Sequence, residues 1–204
     1  MKKLSAILIA LYLITGCSSG GGISGGAGGV GTFTSESGLL LSTSLTPDGS
    51  FSVDVIQSIC EIDPETGETT TEPGIKSILG TFTVTIQDVT DLTNGLFPRG
   101  ITLDKYTVSY QQVGGRNNIP LSTINNAQTF SLLSGNATGS TTVVLASLST
   151  TLDQFARVYP GAGIYTYVVT INYSGRDFNN EPITAVASTT IEMGDFDRCS
   201  GDDG

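Results

Sequence analysis

The sequence predicts an all-β fold, an antiparallel sandwich of seven to eight strands with one short helical crossover. Three observations predict it. Apolar and polar residues alternate over short runs, turn-forming Gly, Pro, Asn and Asp separate these runs, and only one segment has helical periodicity. Alternation indicates that each strand buries one face against an opposing sheet and exposes the other to water. An eight-stranded closed barrel is the alternative architecture.

Each predicted strand is a run of alternating residues. In order along the chain the runs are 38–45, 51–56, 81–87, 101–110, 128–133, 141–148, 164–173 and 183–193. The sequence Pro47-Asp48-Gly49-Ser50 is typical of a turn between the first two. Ile101 and Leu103 are out of phase with the residues from Tyr106 onward. We therefore expect a β-bulge near Asp104-Lys105 that restores the buried face.

The clearest strand is 164–173, because large apolar residues occupy every second position. They are Tyr165, Tyr167, Val169, Ile171 and Tyr173. Its partner is expected at 183–193. The connection 175–182 is polar and rich in turn residues, so the two strands should form a hairpin.

Helical signal is confined to residues 150–159. There Leu152, Phe155 and Val158 recur at every third position, Thr150 is placed to cap the start, and Pro160 ends the segment. One or two turns of helix are expected.

The order and spacing of the predicted strands from Thr81 to Phe196 resemble those of immunoglobulin-like and fibronectin-type-III-like domains. The helical segment precedes a Tyr-rich strand and a last hairpin, where those folds join their fifth, sixth and seventh strands. The chain has no Trp and lacks the inter-sheet Cys pair of antibody domains. The resemblance implies that Tyr167 or Tyr173 is a candidate for the corner tyrosine of these folds, with a plain core aromatic as the alternative.

The first residues have the form of a secretory signal. Lys2 and Lys3 precede an uncharged apolar run, 4–14, which as a helix would rise only about 17 Å, too little for a ~30 Å hydrocarbon core. A buried amphipathic helix is the alternative. The next residues, Ile14-Thr15-Gly16-Cys17, resemble the bacterial lipobox. This resemblance implies removal of residues 1–16 and covalent lipid, including palmitate, on Cys17, which anchors stably when two or three acyl chains are present.

The anchor is followed by a predicted tether, residues 17–36, and a single domain, residues 37–204. Eight of the fifteen residues from 17 to 31 are Gly, so the tether cannot bury enough apolar area to offset its ordering entropy. Its reach is roughly 20 Å. Ser18 follows the lipidated cysteine. By resemblance to enteric lipoproteins, this residue implies that the protein is sorted to the outer membrane. A domain on either the periplasmic or the cell-surface face of that membrane is consistent with the sequence.

Composition excludes several function classes. The chain has no His, and its formal net charge of −10 becomes −12 (7 basic minus 19 acidic residues) once residues 1–16 are removed. Without His, most metal centres and Ser-His-Asp triads are excluded, and the acidity argues against nucleic acid as a partner. Lys76 and Lys105 do not lie in a Ser-x-x-Lys arrangement. We expect no enzymatic activity and no cofactor other than the lipid on Cys17.

Two further cysteines, Cys60 and Cys199, are expected to form a disulfide in an oxidising compartment, with two free thiols as the alternative. Such a bond stabilises by on the order of 5 kcal/mol in the chain-entropy model. Asp63, Glu65 and Glu68 are weak calcium candidates, since carboxylates suit Ca²⁺. Their spacing matches no EF-hand loop, and a solvated acidic loop is the main interpretation. Residues 177–180 form a weaker candidate.

These features predict a lipid-anchored cell-envelope protein that acts as a non-catalytic binding, adhesion or assembly module. The membrane is one partner and another envelope protein is a candidate second partner, which an exposed edge strand would recruit by strand pairing. The alternative is a carrier of a small apolar ligand in a barrel or inter-sheet cavity. An apolar pocket favours the carrier, and a packed interior with a polar exterior favours the binding module. The third hypothesis is a hydrolase with two acids in a cleft.

Overall fold

The computed structural model describes residues 31–34, 39–48, 52–56, 59–62, 66–71, 75–88, 100–133 and 137–196. Eleven strands occur in this part of the chain: β1 (Gly31–Thr34), β2 (Leu39–Pro47), β3 (Ser52–Asp54), β4 (Ile59–Ile62), β5 (Thr69–Thr71), β6 (Ile78–Asp88), β7 (Ile101–Gln112), β8 (Ile124–Leu132), β9 (Ala137–Ala146), β10 (Tyr165–Asp177) and β11 (Pro182–Gly194). A π-helical turn, Leu148–Leu152, continues into a short helix, α1 (Asp153–Val158). No helix among the described residues is long and apolar enough to cross a bilayer.

The strands form two main sheets. One has the order β1-β2-β6-β9, the other the order β3-β11-β10-β7-β8, and β4 pairs only with β5. Every pairing is antiparallel except that of β3 with β11. No backbone ladder joins the two main sheets within the described residues. The all-β prediction is confirmed, and the two sheets are consistent with the predicted sandwich or with the alternative barrel.

The strand count differs from the expected seven to eight. All eight predicted runs form strands, and β1, β4 and β5 are additional. Each of these three has only three or four residues, too few for an alternating pattern to stand out. Strand β1 lies within the range 17–36 predicted as tether, where Phe33 pairs with Leu41 of β2.

The core lies between the two main sheets and is filled from both sides. The five predicted residues of β10, Tyr165, Tyr167, Val169, Ile171 and Tyr173, are all buried, as predicted. The predicted hairpin with β11 is also confirmed, since Tyr165 pairs with Met193 and Arg176 with Pro182 at its two ends. The opposing sheet contributes buried aliphatic and aromatic residues from its three longer strands, among them Leu41, Phe82 and Leu145.

The predicted bulge is present at Asp104. Gly175 of β10 pairs with Leu103, whereas the preceding Ser174 pairs with Lys105, so Asp104 has no partner in that ladder. The ladder of β7 with β8 shifts at the same point. Leu103 and Tyr106 are buried on either side of two exposed residues, which is the change of phase that the sequence required.

The outer face of the first sheet is rich in hydroxyl groups. Strand pairing places three Ser or Thr residues from each of its long strands side by side: Ser42, Ser44 and Thr46; Thr85, Thr83 and Thr81; Thr138, Ser140 and Thr142. Cross-strand pairs bond each other, with 2.9 Å between the hydroxyl oxygens of Thr83 and Ser140 and 2.9 Å between those of Thr85 and Thr138. This face of the sheet is therefore polar.

The crossover between β9 and β10 is helical, as predicted, but two details of the prediction were wrong. Val158 is 57% exposed instead of facing the core, because α1 ends there; of the three predicted apolar positions, only Leu152 and Phe155 are buried. Thr150 does not cap the segment, which begins earlier, at Leu148. The N–H of Leu148 instead donates to the hydroxyl of Ser77, 2.9 Å away. The cap is therefore supplied from a distant part of the chain.

Candidate functional site

Most of the site residues predicted from the sequence lie outside the described residues. Cys17, Cys199, Asp63 and Glu65 are among them, and of Cys60 only the backbone, in β4, is described. The predicted lipid attachment and disulfide therefore remain predictions. Glu68 is exposed, and its N–H donates to the hydroxyl of Thr66. No group of three or more His, Cys, Asp and Glu suited to a metal ion occurs in the described part of the chain.

The weaker calcium candidate at 177–180 is a hairpin turn. The buried carboxylate of Asp177 accepts hydrogen bonds from the N–H groups of Asn179 at 2.9 Å and Glu181 at 3.0 Å. Asn180 adopts a positive φ of 67°, which Asn tolerates better than most residues. Asp177 therefore stabilises the turn between β10 and β11.

Tyrosine hydroxyls tie the two sheets together across the core. Tyr110 of β7 donates to the carbonyl of Leu145 in β9 of the other sheet at 2.6 Å, whereas Tyr173 donates to the carbonyl of Gln128 within its own sheet, also at 2.6 Å. The Tyr106 hydroxyl accepts the N–H of Val144 at 3.0 Å. Because buried hydroxyls are costly unless hydrogen-bonded, these bonds favour one alignment of the sheets.

Neither candidate for the corner tyrosine bonds to the helical crossover. Tyr167 donates to the carbonyl of Ile119 at 2.9 Å, and Tyr173 reaches β8. Both are core aromatics, the alternative that the sequence left open.

The seam between β8 and β9 is closed by side chains instead of a backbone ladder. The Gln128 amide donates to the Thr141 hydroxyl at 2.8 Å and to the Thr142 carbonyl at 3.1 Å. The adjacent backbone groups of Val144 and Leu145 are bonded by Tyr106 and Tyr110. This stretch of β9 is therefore already hydrogen-bonded and does not offer a free edge to a partner strand.

The buried tyrosines predict a loss of stability at alkaline pH. Burial raises the pKa values of Tyr110, Tyr167 and Tyr173 from 10.0 to about 12, since it disfavours the phenolate. Above pH 10 the unfolded chain loses protons that the folded chain retains, so the free energy of unfolding should fall as the pH rises from 10 to 12. Urea titrations between pH 10 and 12 measure this free energy of unfolding, and tyrosinate absorbance recorded in parallel reports the ionisation of the tyrosines. A Tyr110→Phe variant should show a shallower decline, and an unchanged urea midpoint across the window would contradict the prediction.

The clearest candidate site is the loop that follows β7. The N–H groups of Val113 and Gly114 both donate to the Thr166 carbonyl, at 2.8 and 3.2 Å, and so extend the pairing of β7 with β10 into the loop. Gly115 has a φ of +115°, and a Cβ there would overlap the ring of Tyr165. Glycine is therefore required at this position by both conformation and space.

A single half-buried glutamine closes this loop. The Gln112 amide nitrogen donates to the carbonyls of Gly114 at 3.1 Å and Asn117 at 2.5 Å. Its amide oxygen accepts the N–H of Ile119 at 2.7 Å. Ile119 is buried, and its carbonyl accepts the Tyr167 hydroxyl. Both ends of the loop are thereby fixed to the core.

The second half of the connection is fixed to the crossover helix by another glutamine. The Gln154 amide oxygen accepts the N–H of Ser122 at 3.0 Å, and its nitrogen donates to the Pro120 carbonyl at 3.2 Å. Sequence reasoning missed both glutamines. The only local signal was a polar residue, Gln112, two positions before the Gly-Gly pair at 114–115.

The tip of the loop is exposed and polar. Gly115, Arg116, Asn117 and Asn118 are exposed around a shallow surface depression of about 300 Å³, which residues 112–118 line. Arg116 makes no ion pair or hydrogen bond with the rest of the described chain, in contrast to Arg157, whose guanidinium lies 2.9 Å from the Asp153 carboxylate. We call residues 112–118 the β7–β8 loop site.

This arrangement can bind a polar ligand without rearranging, because the side chains that hold the loop are not the ones that it exposes. Preorganised groups lose less conformational entropy on binding. No protein-family model, curated protein or solved structure matches the chain.

Proposed function

We propose that this protein is a lipid-anchored component of the cell envelope, held in the outer membrane through Cys17, that acts as a non-catalytic binding or assembly module. The β7–β8 loop site is the surface that contacts the partner. The observation that carries the proposal is the hydrogen bonding by Gln112, which fixes the loop backbone while Arg116 and Asn117 stay exposed.

The packing of the core supports this function over the carrier of an apolar ligand. Large side chains from both sheets fill the space between them, with ring centroids 5.4 Å apart for Phe82 and Tyr173 and 5.2 Å apart for Tyr106 and Tyr173. The depression at the loop site is open and lined by polar residues. A carrier needs an enclosed apolar cavity, whereas a binding module needs a rigid polar surface.

The proposal assigns no catalytic step to the chain. The tyrosines with raised pKa values are bonded to backbone carbonyls and are neutral at physiological pH. The buried carboxylate of Asp177 accepts backbone N–H groups of its own turn. These groups stabilise the fold.

The anchor is tested by replacing Cys17 with alanine. The variant should lose labelling by radioactive palmitate and move from the membrane fraction to the soluble fraction or remain uncleaved, because the acyl chains provide the membrane affinity. Ser18→Ala is the control and should remain lipidated. A mature N-terminus other than residue 17, or an unmodified sulfur there, would refute the anchor.

The binding surface is tested by site-specific photo-crosslinking in native membranes. A photoreactive side chain at Asn117, in the loop site, should give a reproducible crosslinked product. The same group at Phe178, which is exposed in the turn between β10 and β11, is the control and should give none. Equal products from both positions, or none from Asn117, would refute the loop site as the contact surface.

A further inference from the structure

The β7–β8 loop site has an unusual chemical composition for this chain. Its lining residues include one arginine, two asparagines and one glutamine, and no acidic residue. The whole chain carries a net charge of −10, yet no acidic residue lines the depression around Arg116.

Backbone groups add hydrogen-bond donors at the same place. The N–H groups of residues 115–118 make no hydrogen bond to other described residues, whereas those of Val113 and Gly114 are used to pair with β10. Consecutive unpaired N–H groups in a turn form a concavity that favours anions. The planar fork of an arginine fits a carboxylate with two parallel hydrogen bonds.

We propose that the loop site binds a carboxylate-bearing glycan, in which one uronic acid sits among neutral sugars. Arg116 binds the carboxylate, and the carboxamides of Asn117 and Asn118 bond the neighbouring hydroxyl groups. This inference rests on the proposed function, because it names the ligand of the same surface.

Three features favour a sparsely charged glycan over other anions. One arginine neutralises one carboxylate, and the net negative charge of the chain repels densely charged polyanions. Carboxamides both donate and accept hydrogen bonds and so complement sugar hydroxyls. An acidic peptide would gain little affinity here, because Val113 is the single apolar side chain in the lining of this depression and offers a peptide side chain little apolar contact.

The test measures binding of the full lipidated protein, reconstituted in neutral lipid vesicles, to immobilised oligosaccharides. The probe is an oligosaccharide that alternates glucuronic acid with N-acetylglucosamine, and its partner is the same oligosaccharide with each carboxyl group reduced to an alcohol. Affinity should be roughly tenfold or more weaker for the reduced form, since hydrogen bonds to charged groups contribute about 1.5–3 kcal/mol.

Variants of Arg116 distinguish bidentate hydrogen bonding by the guanidinium group from attraction by a positive charge alone. Arg116→Gln should lower affinity for the acidic oligosaccharide by roughly tenfold or more, and Arg116→Lys should recover only part of it, because lysine lacks the bidentate geometry. Arg157→Gln removes an exposed arginine of the crossover helix that is already paired with Asp153 and should leave affinity unchanged. All four proteins should have the same thermal midpoint, which separates lost binding from lost folding.

Several outcomes would overturn the inference. Equal binding of the acidic and reduced oligosaccharides, or an equal loss with Arg157→Gln, would show that the carboxylate is not recognised at Arg116. Arg116-dependent binding of a glutamate-rich peptide in preference to the oligosaccharide would assign the site to a protein partner. If crosslinking at Asn117 captures a partner while neither oligosaccharide binds, the proposed function stands and the glycan assignment fails.

Discussion

Replacing Gly175 by alanine is expected to destabilise the domain by about 3 kcal/mol. A Cβ at this position would overlap the carbonyl oxygen of Thr102 and lie 2.6 Å from the Cα of Leu103. These are backbone atoms of β7, so no side-chain rotation relieves the overlap. The two strands must separate at the bulge or the ladder must shift.

The position of the bulge explains why the cost is large. Asp104 is excluded from the pairing, so the β7 backbone at Leu103 is directly opposite Gly175. Separating the strands there would also displace Leu103, which is fully buried. Urea denaturation followed by circular dichroism measures the loss in the free energy of unfolding. Ser174→Ala is the matched control on the adjacent residue and should change it by less than about 0.5 kcal/mol. A Gly175→Ala protein as stable as this control would refute the explanation.

Replacing Phe155 by alanine is expected to cost about 3–5 kcal/mol, the range for removing a fully buried aromatic side chain. Phe155 has no exposed surface, and its ring is stacked on Tyr159 with 5.3 Å between centroids. It also meets Tyr165 and Tyr167 edge-on, at 5.4 and 6.1 Å. Its removal would leave a cavity beneath the crossover helix.

The same substitution should also loosen residues 119–122, the segment that directly follows the loop site. The ring of Phe155 packs against Tyr167, whose hydroxyl bonds Ile119, and the adjacent Gln154 bonds the loop at Pro120 and Ser122. Amide hydrogen exchange should therefore accelerate at Ile119 and Ser122 more than in the hairpin of β10 and β11. Val158→Ala, in the same helix but exposed, is the control and should leave stability and exchange unchanged. A Phe155→Ala protein that loses less than about 1 kcal/mol would contradict the expected cavity cost.

The features that the sequence pattern predicted correctly depend on residues that are close together in the chain. Alternation along β10 identified its buried face, and the phase change after Leu103 located the bulge within one or two residues, because both depend on a period of two along a single strand. The crossover was predicted for a similar reason, but its start was not. Its first N–H is bonded by Ser77, far away in sequence, and a local capping rule cannot detect such a bond.

The candidate site was not predictable in the same way. Gln112 and Gln154 are ordinary polar residues in the sequence, and their importance comes from carbonyl and N–H groups that the fold brings next to them. The closure of the β8–β9 seam is similar, since Gln128 and the tyrosines Tyr106 and Tyr110 bond the backbone of a strand in the other sheet. Such bonds join residues that share no periodic pattern.

The amino-acid sequence by itself determined that the chain is all-β, which residues of its long strands face inward, and that its last two strands form a hairpin. Hydrophobic burial depends on residue type and spacing, and both can be read along one strand. Only the tertiary structure decided which strands share a sheet, which edge is closed, and which loop is held rigid with Arg116 exposed. Those features depend on hydrogen bonds between groups distant in sequence, and their partners are defined only once the two sheets have packed together.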